Sequence, residues 1–173
     1  KLNAVLLRGI NDGEAGELLR FALAHGYQLR FIEQMPLDPQ HGWDRAQMVS
    51  AAEILATLES EFTLSPDPDH RGSAPAETWL VEGYTDLVGR PAKVGVIGTV
   101  TRPFCGDCDR TRLTADGQVR NCLFAREESD LRTALRAGAS DEELAARWRA
   151  AMWTKLPGHG INDPRFLQPA RPM

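Results

Sequence analysis

The sequence predicts an α/β fold in two parts, a βα-repeating start of the kind found in a parallel sheet or barrel and then a small α+β domain. Three observations predict it. Apolar runs alternate with helical stripes over the first sixty residues. A stretch dense in Pro, Asp and Gly follows at residues 65–77. Beyond it come short runs of Val, Tyr, Thr and Ile broken by glycines.

The elements follow in order. Leu2 to Leu7 is a short apolar run of the kind buried on both faces, ending at Arg8 and Gly9. Asn11 with Glu14 matches a capping box, and Leu18, Leu19, Ala22 and Leu23 give the helix after it a buried stripe that Gly26 ends. Tyr27 to Met35 reads as a second strand, and Asp44 to Ser60 as a second helix with Met48, Ala52, Leu55 and Leu58 inward. The loop at 65–77 is the expected boundary between a domain at 1–64 and another at 78–173.

In the second part, Thr78 to Thr101 predicts a small antiparallel sheet. Arg110 to Thr114 and Gln118 to Leu123 flank Ala115, Asp116 and Gly117 as the arms of a hairpin. Asp130 to Ala137 predicts a short helix closed by Gly138. Ser140 with Glu143 caps a longer one whose Leu144, Trp148 and Met152 are expected in the core. Pro157 to Met173, with four prolines, predicts an extended tail.

Composition narrows the function. The chain has 173 residues, 42% of them hydrophobic, and a formal charge of -4, which supplies no global field to recruit nucleic acid or an anionic membrane. No apolar run reaches the length of a membrane helix and no signal peptide opens the chain, so a cytoplasmic location is expected. The cations are arginine except for Lys1, Lys93 and Lys155. Arginine suits phosphate recognition, although codon usage accounts for the bias as well. Lys1 begins in mid-element, which suggests a fragment. If barrel strands are absent, the edge at Leu2 to Leu7 is expected to pair elsewhere, a homodimer being one way.

All three cysteines lie within 18 residues, as Cys105-x2-Cys108-x13-Cys122, and the hairpin folds the third back towards the first two. Three separate buried thiols and a redox dithiol fit this poorly, since a redox pair opens a helix after a parallel strand. A zinc site needs a fourth ligand from His25, His41, His70 or His159. A [4Fe–4S] cluster on three cysteines leaves one iron open to substrate. Spacing alone leaves zinc and iron–sulfur level. Arg110 and Arg112 stand two apart on the first arm, on one side of a strand. Two guanidinium forks suit a polyphosphate at about 1.5–3 kcal/mol per charge-assisted bond, whereas a solvated arginine face is the plain alternative.

The run from Phe104 to Phe124, with Cys-Gly-Asp-Cys-Asp-Arg-Thr-Arg at its head, resembles the C-terminal cluster motif of the GTP 3′,8-cyclases of molybdenum cofactor synthesis. Lys1 to Val5, Gly9 to Asp12, Arg30 to Pro36, Ile161 to Pro164 and Gln168 to Met173 extend the resemblance along the chain. It implies the last βα units of an incomplete TIM-type barrel followed by a small α+β domain. It implies a radical S-adenosylmethionine lyase that converts GTP to (8S)-3′,8-cyclo-7,8-dihydroguanosine 5′-triphosphate and passes it to the next enzyme of the pathway.

By the same resemblance Cys105, Cys108 and Cys122 hold a second [4Fe–4S] cluster. Arg110, Thr111, Arg112 and Lys1 hold GTP, and Met35 lines the S-adenosylmethionine site. Two departures bear on this. The Cys-x3-Cys-x2-Cys motif of the first, radical-generating cluster is absent, as is a terminal Gly-Gly. The expectation is a C-terminal piece, inactive alone, with its radical region missing. The reading from another class is a zinc-stabilised binding module whose arginines meet a macromolecular partner.

Overall fold

The computed structural model describes residues 1–38, 40–163 and 166. Gln168 to Met173 and Pro164, which carry part of the resemblance, lie outside the described residues. The chain divides into two compact units, one of Lys1–Pro36 with Gly42–Phe104, the other of Leu37–His41 with the chain from Cys105 onwards.

The first unit is a five-stranded mixed sheet with two helices. Its elements are β1 (Leu2–Val5), α1 (Ala15–Ala24), β2 (Leu29–Ile32), α2 (Ala51–Glu59), β3 (Leu64–Pro66), β4 (Glu77–Thr85) and β5 (Pro91–Ile97). The sheet order is β1-β2-β5-β4-β3, with β1, β2 and β5 parallel and β4 antiparallel to both its neighbours. Leu29 and Phe31 of β2 and Val94 and Val96 of β5 meet Leu19 of α1 and Ile54 and Leu58 of α2 in one core. This corrects the expected boundary. Residues 65–77 lie inside the first unit, because β4 and β5 complete the sheet begun by β1 and β2, and the division falls at Cys105.

Local chemistry explains where the elements start. Asn11 is not the expected side-chain cap: its Oδ1 accepts from Leu7 N at 2.6 Å, and a 3-10 turn over Asp12–Glu14 leads into α1. The working capping box belongs to Ser50 and Glu53 at the head of α2. Glu53 is held at about 2 by the Ser50 backbone N–H, the Arg8 guanidinium and the Ser50 hydroxyl. Ala52, expected inward, is exposed, and Ala51 and Ile54 take its place.

Glu33, just past β2, is fully buried. Its Oε1 accepts from Ala51 N at 2.7 Å and Thr101 Oγ1 at 2.5 Å. Its Oε2 accepts from Val100 N at 2.7 Å and Thr101 N at 2.9 Å. One carboxylate thus fastens the end of β2 to the first turn of α2 and to the segment after β5.

The second unit has a three-stranded antiparallel sheet, β6 (Arg112–Leu113), β7 (Gln118–Arg120) and β8 (Ser129–Asp130), with α3 (Arg132–Arg136) and α4 (Asp141–Trp153). Gly117 takes φ +78° in the β6–β7 turn, and a Cβ there would meet the Arg132 Cβ at 2.5 Å, so glycine is required on two counts. Ser140 caps α4 by accepting from Glu143 N. Leu144, Trp148 and Met152 prove only partly buried, and Ala151 is the buried residue of that helix. The described part of the tail turns back, placing Ile161 in the interior and the rings of His159 and Phe166 edge-on to Phe124. No described helix is long and apolar enough to cross a membrane.

Candidate functional site

Cys105 opens a 3-10 turn, Cys105–Asp107, and Cys108 N closes it by donating to Cys105 O at 3.3 Å. Cys122 follows β7 by two residues and accepts from Phe124 N at 3.5 Å. All three thiols are free, partly buried, and line one cavity of about 1050 Å³ together with Asn121, Lys155 and His159. The spacing thus brings the cysteines to one place, as expected. Among the described residues no group of three His, Cys, Asp or Glu side chains is closed tightly enough to hold a single metal ion.

The electrostatics of the cavity are set by cations. Burial pushes the Cys108 thiol up, but hydrogen bonds from Arg110 and Lys155 outweigh it, and the thiol lies below its ordinary value. Arg110 Nη2 stands 3.2 Å from Cys108 Sγ. Burial raises the Cys105 thiol, against a backbone hydrogen bond from His159, and negative charge on Cys122 and Cys108 raises it further. Arg112 is lowered by burial and by Arg110, while Cys122 and Cys108 pull it the other way. Arg110 thus touches the Cys108 sulfur, and Arg112 lies close enough to Cys108 and Cys122 for their charge to act on it.

Three cysteine sulfurs with N–H donors and fixed positive charge beside them form a soft, anion-stabilising donor set. That set suits an iron–sulfur cluster, in which each thiolate takes a different iron. Thr111 points elsewhere: its hydroxyl donates to Met152 Sδ on α4 at 2.5 Å.

Lys1 and Met35 belong to the first unit. Lys1 is exposed at the entering end of β1, level with Gln28, and lines a cavity of about 750 Å³ with Tyr27 and Lys93. Met35 is partly buried past the leaving end of β2, seven residues on from Gln28, or about 20 Å along extended chain. The fold does not bring these two together.

Sequence reasoning missed Lys155. Its Nζ donates to Arg110 O at 2.8 Å and to Asn121 O at 2.7 Å. The available signal was its rarity, as one of three lysines among many arginines. Glu33 was also missed, although a glutamate in an apolar run such as Arg30 to Met35 marks a buried charge in need of partners.

Residues 27–161 match the family model described as Molybdenum Cofactor Synthesis C. Curated relatives include a GTP 3′,8-cyclase from Streptomyces coelicolor, 60% identical over all of this chain and 49% of that protein. One from Mycobacterium sp. (strain KMS) is 61% identical over all of this chain and 48% of its own length, and one from Corynebacterium glutamicum (strain ATCC 13032) is 56% identical over all and 46%. The chain spans about half the length of the curated relatives it matches.

Proposed function

Because the chain belongs to the Molybdenum Cofactor Synthesis C family, we propose that it is the substrate-holding part of a GTP 3′,8-cyclase, acting in molybdenum cofactor synthesis. The observation that carries this is the single cavity lined by Cys105, Cys108 and Cys122, with Arg110 against the Cys108 sulfur and Arg112 within reach of the charge of Cys108 and Cys122. A [4Fe–4S] cluster bound there by three thiolates supplies an open iron, a Lewis acid for a base or carbonyl of the substrate.

The residues of this chain then bind and orient. Arg110 and Arg112 neutralise and position an anionic substrate, GTP, through charge-assisted hydrogen bonds, and Thr111 locks the strand between them to α4 through Met152. The parallel trio β1, β2 and β5, with β1 at the sheet edge, supports reading the first unit as the end of a partial TIM-type barrel. The remaining strands and the radical S-adenosylmethionine cluster would be carried by sequence other than these 173 residues. Met35, past the leaving end of a parallel strand, is where such a barrel meets its small-molecule cofactor, S-adenosylmethionine. Lys1, at the opposite end, is retained as a GTP contact on resemblance alone. Without a Cys-x3-Cys-x2-Cys motif the piece holds substrate and generates no radical.

The test is anaerobic reconstitution with iron and sulfide, followed by the visible spectrum and metal content. A brown chain with about four irons is expected from a [4Fe–4S] site. A colourless chain carrying one zinc would replace this reading with a zinc-stabilised binding module.

A further inference from the structure

The ladder between β6 and β7 ends at the Arg112–Arg120 pair. Continued in register, it would set Thr111 against Asn121 and Arg110 against Cys122, but neither strand extends that far. Cys108 stands beyond the opening on one arm and Cys122 on the other.

Lys155 spans the gap. It follows Thr154, the C-cap of α4, and its own N–H donates to Met152 O at 3.0 Å, so its backbone is fixed by the helix end. Its ammonium donates to the carbonyl of Arg110 on one arm and of Asn121 on the other, and it stands near enough to the Cys108 thiol to help lower its pKa. An ammonium has three donors and no acceptor, and two of them join the arms here. The Asn121 side chain secures the same junction from the other side, donating to Ala151 O at 3.0 Å and Thr154 Oγ1 at 2.9 Å.

Resting on the reading of the three cysteines as cluster ligands, we propose that Lys155 is the positioning residue of this site: it holds the two arms of the opened hairpin at the separation at which Cys108 and Cys122 reach one cluster, and it fixes a positive charge beside the Cys108 sulfur. Two consequences follow from different properties of the side chain. Donating to two carbonyls on opposite arms in this space needs the compact tetrahedral ammonium, which a planar guanidinium does not reproduce. A positive charge beside a ligand sulfur favours the reduced, more negative cluster, and so raises its reduction potential.

The experiment compares the natural chain with Lys155→Met and Lys155→Arg after anaerobic reconstitution, reading iron retention against a chelator and the midpoint of a redox titration. Both variants are expected to hold iron about 10-fold or more less firmly, as for other outer-shell partners of metal ligands. The midpoint should move to more negative potential in Lys155→Met and stay near the natural value in Lys155→Arg. Natural chelator resistance in Lys155→Met, or an unshifted midpoint there, would overturn the proposal. If circular dichroism shows that Lys155→Met does not fold, Lys155→Arg carries the test, and natural iron retention in it overturns the bridge between the arms. A natural chain that takes up no iron would instead overturn the cluster reading beneath it.

Discussion

The two units keep their charged groups in opposite ways. In the first, Glu33 is the buried acid, and four donors satisfy it inside a core of Leu29, Phe31, Ile54, Leu58, Val94 and Val96. In the second, the buried apolar set is thinner, Val119, Phe124, Ala134, Ala151 and Ile161, and three thiols and Lys155 open into a cavity, with Arg110 against Cys108. The buried charge of the first unit is satisfied by groups of that unit. On the function proposed above, the second unit is arranged around a cluster, and its order is expected to depend on that ligand.

The strongest test of this contrast is Glu33→Ala, which strands three backbone N–H groups and the Thr101 hydroxyl. A loss of about 3–5 kcal/mol is expected by urea titration, with the damage centred on residues 33, 51 and 100–101 in amide exchange. Next in size is removal of iron from the reconstituted chain. Exchange across residues 105–163 should rise by about 100-fold while the amides of β2 and β5 keep their protection. Equal loosening of both units would erase the distinction.

A smaller effect is expected from Arg110→Ala combined with Arg112→Ala. In a full-length enzyme containing this region, GTP affinity should fall about 10-fold to 100-fold by equilibrium binding, with the visible spectrum of the cluster unchanged. Unchanged affinity would return these arginines to the role of a solvated face. The smallest concerns Glu53, whose folded-state carboxyl is depressed to about 2. A depressed acid contributes stability that is present above its unfolded value near 4.5 and is lost as pH falls towards 2. Because Arg8 and Glu53 are both well exposed, Glu53→Gln should cost under about 1 kcal/mol at pH 7 and flatten the acid limb of the stability curve between those values.

Much of the first unit was legible locally. The periods of Leu19, Ala22 and Leu23, and the short run at Leu29 to Ile32, specify α1 and β2 from the residues themselves. What could not be read was partnership. β4 and β5 were expected as a separate antiparallel sheet because their hairpin is local, whereas the parallel pairing of Val94 and Val96 with Leu29 and Phe31 crosses more than sixty residues and leaves no mark in either segment. Asn11 failed as a cap for a related reason: its oxygen has a competing donor in Leu7 N, four residues back.

In the second unit the cysteines were legible because metal-type spacing is a local property, and so was the hairpin turn at Gly117. Thr111 was assigned with its neighbours by motif, but its hydroxyl bonds Met152 on α4 while Arg110 touches the Cys108 sulfur. Lys155 was invisible because nothing in a single residue past a helix reveals that its ammonium joins two carbonyls 34 and 45 residues upstream.

Glu33 also constrains the order of events during synthesis. Its carboxylate finds its last partners at Val100 and Thr101, so the sheet of the first unit cannot be fastened until nearly seventy further residues have been made. Those partners precede Cys105 by only a few positions. The segment that fastens the first unit and the segment that carries the first two thiols are therefore released from synthesis almost together, and the closing of that sheet coincides with the first exposure of the sulfurs.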